Sequence, residues 1–152
     1  MRVEAVGPSD WEAWRELRLE ALKDTPIGFM ERYSDALLVT PSEWQERLRR
    51  PGVRLLAHDG ARAVGMAGGF RDEAGDPILF AVYVTPAARG GAVVTALVDR
   101  VAEWAAPDPL VLEVHVDNER ARRAYLKLGF VEDGRRRDGG APDGGNLLRM
   151  SR

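Results

Sequence analysis

Residues 82–97, VYVTPAARGGAVVTAL, bring backbone chemistry to one point. Val82, Tyr83, Val84 and Thr85 form a β-branched and aromatic run that Pro86 stops. Arg89-Gly90-Gly91 follows, and Ala92, Val93 and Val94 open an apolar helical pattern. A strand that feeds a helix through a glycine turn aims several N–H groups at one spot, at the positive end of the helix. Such a spot holds phosphate or diphosphate without side-chain help. The same pattern also reads as an ordinary strand-to-helix connection, and the turn alone does not separate the two. Two titratable groups, Glu113 and His115, alternate along LVLEVHV and so share one face of a second strand.

The elements that position these groups follow from local rules. Residues 2–6 alternate and predict a short strand. Ser9-Asp10-Trp11-Glu12 has the form of a capping box, with a helix from about Asp10 to Lys23. Residues 24–39 read as irregular. Thr40-Pro41-Ser42-Glu43 supplies a cap, a proline at the first helical position and an acidic first turn, and Pro51-Gly52 ends that helix. Two apolar runs flank Asp59-Gly60, a strong hairpin signal, and RDEAGD makes a second turn before PILFAVYV. The continuous apolar character of that third strand predicts burial on both faces. Val94, Leu97, Val98, Val101 and Trp104 form a helical stripe that Pro107 and Pro109 end. After LVLEVHV, Asp117 or Asn118 caps a helix whose stripe is Ala121, Ala124, Tyr125 and Leu128, with Gly129 as its stop. FVEDGRRR and NLLRMSR make two last strands around the glycine-rich residues 138–145.

The expected order is therefore β-α-α-β-β-β-α-β-α-β-β. A strand–helix–strand unit within residues 78–116 requires a right-handed crossover and one parallel pair. The fold class is α/β (α+β): a mixed, mostly antiparallel twisted sheet of about seven strands, with four helices on both faces. The length, 152 residues, suits one domain over 1–152 with a core of its own.

Composition narrows the chemistry. With 45% apolar and 30% charged residues the chain reads as a soluble globular protein. A formal net charge of -2 gives no general attraction to nucleic acid or to an anionic membrane. The arginines at 120, 122 and 123, and at 135–137, read as solvated faces. The absence of cysteine excludes disulfides, thiolate metal ligands and a cysteine acyl intermediate, and is compatible with a cytoplasmic location. Two histidines are too few for a histidine-rich metal centre, so no metal is expected. The N-terminus lacks the apolar core of a signal peptide, and no apolar run is long enough to span a bilayer.

Two segments carry a resemblance to a known family. VYVTPAARGGAVVTALV is similar to the strand, pyrophosphate loop and helix of the GNAT superfamily of acyl-CoA N-acyltransferases. LVLEVHVDNERARRAYLKLGF resembles that family's next strand and helix, with Asn118, Ala121, Tyr125, Gly129 and Phe130 at family spacing. The element order agrees along the whole chain, and LRLEALKDTPIGF resembles a substrate-side helix and loop found in a common subgroup.

The resemblance implies an acetyl-CoA-dependent N-acetyltransferase acting on a primary amine of a small molecule or peptide. It implies that the N–H groups of Arg89, Gly90, Gly91, Ala92, Val93 and Val94 hold the coenzyme diphosphate. Val82, Tyr83 and Val84 would pair with the pantetheine arm as if adding a strand, and Asn118 would bond the cofactor or cap its helix. Tyr125 is implied as general acid toward the leaving thiolate, with packing as its alternative role. Glu113 and His115 are equal candidates for the base that takes the amine proton, since an alkylammonium with pKa of about 10 is not nucleophilic. Phe29, Glu31 and Tyr33 would border the acceptor. The loop departs from the family pattern where Ala92 stands for glycine and Val94 for glycine or alanine. Those residues motivate a second reading, a catalytically weak or inactive acyl-CoA-binding module. The acceptor, the acyl length and the oligomeric state, including a homodimer, are open at this level.

Overall fold

Seven strands form one sheet in the order β1-β2-β3-β4-β5-β7-β6. The computed structural model describes residues 1–138 and 146–152. Most of the glycine-rich loop anticipated between the last two strands therefore lies outside the described residues. The strands are β1 (Arg2–Ala5), β2 (Val53–Asp59), β3 (Arg62–Arg71), β4 (Pro77–Val84), β5 (Val111–His115), β6 (Val131–Asp138) and β7 (Asn146–Ser151). Every neighbouring pair is antiparallel except β4 and β5. The expected crossover joins that pair through a helix.

The helices are α1 (Trp11–Asp24), α2 (Tyr33–Ala36), α3 (Pro41–Arg49), α4 (Ala92–Ala105) and α5 (Glu119–Lys127). The four expected helices are present, and the segment read as irregular adds the single turn of α2. They cover both faces. Leu97, Val98 and Val101 of α4, with Tyr125 of α5 alongside, pack on one face against Leu55, Ala67 and Leu112. Trp14, Leu17 and Leu22 of α1 and Trp44 and Leu48 of α3 pack on the other against Leu56, Met66 and Tyr83.

Local chemistry sets most boundaries. Thr40 Oγ1 accepts the Glu43 N–H at 3.2 Å, and Pro41 opens α3. Asn118 Oδ1 accepts the Ala121 N–H at 3.3 Å at the start of α5. The entry to α1 differs from the expected Ser9–Glu12 box. Pro8 already starts a 3-10 turn over Pro8–Asp10, so Gly7 is the residue left outside, and its N–H donates to Asp10 Oδ2 at 3.0 Å. Proline at a first helical position moves the cap two residues earlier than the box implies, from Ser9 to Gly7.

Two features of β4 position the site. Met66 pairs with Tyr83 but Gly68 pairs with Phe80, so β4 carries one residue more than β3 across this interval. Ala81 sits there at φ 56, a left-handed conformation that costs a non-glycine residue roughly 1–2 kcal/mol. Such a bulge bends its strand and re-aims the residues after it. Pairing between β4 and β5 is confined to Ile78 against Val111. Beyond that single bridge the two parallel strands diverge, and the sheet opens into a V.

Candidate active site

The opening between β4 and β5 is a cavity of about 310 Å³. Val82, Tyr83 and Val84 form one wall, Glu113 and Val114 the other, and Tyr125 of α5 closes a side. Gly90 and Val94 stand at its rim, where the loop after β4 enters α4. Gly90 adopts φ +77 with nothing within 4 Å of where a Cβ would lie, so the turn needs glycine for its backbone and not for room. Gly91 is the N-cap and supplies no side-chain bond to the helix. The first N–H groups of α4, those of Ala92, Val93 and Val94 among them, have no partner within the helix by its geometry. They gather at the positive end of a fourteen-residue helix.

Side chains around the rim hold this backbone in place. Arg89 turns inward: its Nε donates to the Val84 carbonyl at 2.9 Å, its Nη2 donates to Asp24 Oδ2 at 2.6 Å, and its guanidinium lies over the Tyr83 ring. These contacts tie the loop to the end of α1, and the Arg89 hydrogen bond holds the Asp24 carboxyl below its usual range. Arg89 thus offers backbone to the cavity, while Arg120 of α5 brings a guanidinium to its lining. Arg120 Nη2 also donates to Thr25 Oγ1 at 3.3 Å. Reading the Arg120, Arg122 and Arg123 group only as a solvated face missed this. Arg122 pairs with Glu132 and Arg123 with Glu119. No helical-stripe signal separates the three, because the distinction depends on where α5 meets the loop after α1.

The anticipated site residues divide by position. Val82, Tyr83, Val84, Arg89, Gly90, Val94, Glu113, Asn118, Tyr125 and Phe29 all border this cavity. Gly91 and Ala92 are exposed beside it, and Val93 turns to the sheet, where a Cβ on Gly65 would fall 2.9 Å from Val93 Cγ1. The Tyr83 ring also points away from the opening, with its hydroxyl donating to Glu20 Oε2 at 2.7 Å. His115 is buried, and its Nδ1 accepts the Asp117 N–H at 3.1 Å, bracing the turn into α5. Glu31 lines a second cavity and is engaged by Arg18 and Arg47. Tyr33 packs beside α1, with Lys23 Nζ 5.9 Å from its ring centre.

Tyr125 meets the Phe130 ring edge-on at 5.6 Å between centres. Burial raises its phenol above the ordinary value of 10.0, so the proton stays on oxygen across the physiological range. Among the described residues, no group of three histidine, cysteine or acidic side chains could hold a metal ion, and no helix is long and apolar enough to cross a membrane.

A sheet split beside its parallel pair, with a glycine turn and a helix start at the mouth, is an anion-and-chain binding architecture. Residues 11–130 match the family model described as the acetyltransferase (GNAT) family. The chain belongs to that family. Similar solved structures agree in fold. An acetyltransferase of the GNAT family from Streptococcus pneumoniae is 20% identical with a TM-score of 0.79, over 99% of this chain and 97% of that one. A ribosomal-protein-alanine N-acetyltransferase from Brucella melitensis is 20% identical, TM-score 0.75, over 100% and 99%. A putative acetyltransferase from Salmonella typhimurium with its cofactor acetyl-CoA is 17% identical, TM-score 0.74, over 100% and 92%. No curated protein matches the sequence.

Proposed function

We propose that this protein transfers an acetyl group from acetyl-CoA to a primary amine of a small molecule or peptide, by direct attack within a ternary complex. The observation that carries this reading is the divergence of β4 from β5 after Ile78, with the start of α4 at its mouth. A strand edge without a ladder partner accepts an extended chain by backbone hydrogen bonds, and the N–H groups of a helix start accept a diphosphate. The acetyl-CoA in the Salmonella structure agrees with this choice of donor.

Each residue then has one task. The N–H groups of Ala92, Val93 and Val94 bind the diphosphate, and Arg120 adds a charge from across the cavity. The β4 edge at Val82–Val84 pairs with the pantetheine amides, and one of its N–H groups polarises the thioester carbonyl as an oxyanion donor does. Glu113, at the cavity wall, takes the amine proton directly or through water. His115 is the weaker candidate because its Nδ1 is committed to the Asp117 N–H. The neutral amine attacks the carbonyl carbon, the C–S bond breaks, and Tyr125 donates a hydrogen bond to the departing sulfur. Holding both reactants in one cleft supplies much of the rate.

Calorimetric titration with acetyl-CoA, followed by thiol release across a panel of amines, tests the reading. Saturable binding with amine-dependent thiol release is expected. Binding without release for any amine would instead favour the binding module that Val94 suggests. No binding at millimolar acetyl-CoA overturns the assignment of the cleft.

A further inference from the structure

On the α1 and α3 side of β4 lies a second cavity, of about 350 Å³. Its charged lining is four arginines, Arg18, Arg47, Arg50 and Arg54, against one carboxylate, Glu31. Trp14, Met30, Phe80 and Ala81 make its apolar walls. Part of this positive charge is internal: Arg54 is buried, whereas Arg50 is exposed. Arg54 is only 7% exposed, and its Nη1 donates to the Arg50 carbonyl at 2.7 Å while its guanidinium lies 5.6 Å from the Phe80 ring centre. Among the described residues no carboxylate pairs with Arg54. Burial lowers its pKa, and the Arg50 charge lowers it further, as expected for a guanidinium facing other cations. A charge this enclosed without a counter-ion is costly, because buried charges are ordinarily paired.

The same cavity shows which anion its guanidinium groups accept. Arg47 grips Glu31 with two bonds, Nη1 to Oε1 at 3.1 Å and Nη2 to Oε2 at 2.6 Å, and Arg18 Nε adds a third at 3.3 Å. This is fork-to-fork recognition of a carboxylate. Arg54 presents the same planar donor set beside it, with no carboxylate among the described residues to bind.

The two cavities meet at the bulge of β4. Val82 lines the first and Ala81 and Phe80 the second; Phe29 lines the first and Met30 and Glu31 the second. Neighbouring residues on a chain are about 3.8 Å apart at Cα, so residues of the two linings stand side by side on β4 and on the loop after α1. An acceptor with its amine in the first cavity and its anionic end at Arg54 has to bridge these two linings.

We infer that the Arg54 cavity is the acceptor's second anchor, and that the preferred acceptor is a primary amine carrying a carboxylate, which Arg54 and Arg50 bind. This rests on the proposed acetyl transfer for the role of the amine, though not for the binding of the anion. Glu31, whose charge Arg18 and Arg47 already engage, shapes the pocket.

Glycine, β-alanine and γ-aminobutyrate, each against its own amide, test the assignment and measure the span from amine to anion. Ligand-observed NMR on the protein without acetyl-CoA reports binding, and thiol release reports turnover. At least one acid should bind about tenfold or more tightly than its amide. In Arg54→Gln that preference should fall below about threefold, with acetyl-CoA affinity unchanged. If Arg54→Gln fails to fold, Arg50→Gln, at an exposed position, should still weaken the acids severalfold and leave the amides alone. Equal binding of acids and amides overturns the inference, as does selective binding of the matching aminophosphonates only. Discrimination between acid and amide in a protein that fails to bind acetyl-CoA would sink the transferase reading and leave the anion pocket standing.

Discussion

Tyr125 shows how the chemistry of one residue limits its role. A phenol held above its ordinary pKa of 10.0 is a weaker acid than a thiol of about 8.5. In the proposed transfer, full proton donation to the departing thiolate is therefore uphill, and the tyrosine would act mainly as a hydrogen-bond donor. Tyr125→Phe should lower kcat by about 10- to 100-fold without abolishing turnover, at or below the low end of the roughly 100- to 10,000-fold of general acid help, because the phenol keeps its proton. Steady-state kinetics with a fixed amine check this, and an inactive, folded Tyr125→Phe would mean that proton donation is obligatory. Glu31 makes a second prediction at this scale. Burial pushes its carboxyl up, but the Arg47 hydrogen bonds and the charges of Arg18 and Arg47 outweigh it, and the pKa lies below 4.5. A depressed carboxyl contributes stability that is full above its unfolded value and lost as pH falls through the folded one. Glu31→Gln should therefore be less stable than the parent near neutrality by about 1–2 kcal/mol, given partial solvent screening. That gap should narrow as pH falls below about 4.5 and close once the folded carboxyl is itself protonated. Urea titrations at the two pH values decide it; a gap that persists in acid would show that the loss is packing and not charge.

At the scale of elements, what the sequence revealed was local and what it concealed was not. The Thr40 cap and the Asn118 cap depend on a few adjacent residues and stand where those residues implied; the hairpin forms too, but with Gly60-Ala61 as its turn and Asp59 paired to Arg62, one residue past the expected Asp59-Gly60. The Ser9–Glu12 box did not form because Pro8 opens a turn ahead of it, although α1 begins at Trp11, one residue from the expected start. The bulge at Ala81 carries no glycine to announce it, so the divergence of β4 from β5 could be required by the resemblance but not read from PILFAVYV. The arginine cavity was invisible for another reason. Its cations come from positions 18, 47, 50 and 54 on three separate elements, and only the packing of α1 and α3 on β2 gathers them. Glycines of β3 set the distance of α4 from the sheet, and hence the height of the proposed diphosphate site. A Cβ on Gly69 would lie 2.7 Å from Trp104 Cζ3 and 2.8 Å from Val101 Cγ1. Gly69→Ala should cost about 1–3 kcal/mol by overpacking. Gly7→Ala, with nothing within 4 Å, should cost far less. Thermal denaturation of the two variants compares them, and equal losses would point to backbone effects instead of the approach of α4.

For the whole molecule, the V in the sheet divides its cohesion unevenly. β1 to β4 form a continuous antiparallel set, and β5, β7 and β6 form another. One ladder position, Ile78 against Val111, and the packing of α4 join them. Local stability in proteins follows such boundaries, with weakly paired edges opening at lower free energy than continuous ladders. A ligand that pairs with the β4 edge and reaches α5 through Arg120 links both sets. Acetyl-CoA should therefore slow hydrogen exchange at Val82–Val84, in the first turn of α4 and near Arg120. The register of β2 with β3, already paired on both sides, should change only as far as global stability does. That global gain is set by mass action, about 2.7 kcal/mol at a ligand concentration a hundred times the dissociation constant. Exchange measured by mass spectrometry with and without acetyl-CoA separates the two contributions. Protection spread evenly over all strands would mean that the coenzyme stabilises the fold without entering the V. Protection confined to the α4 turn would place the diphosphate there but leave the β4 edge unused, and the strand-addition half of the mechanism would fall.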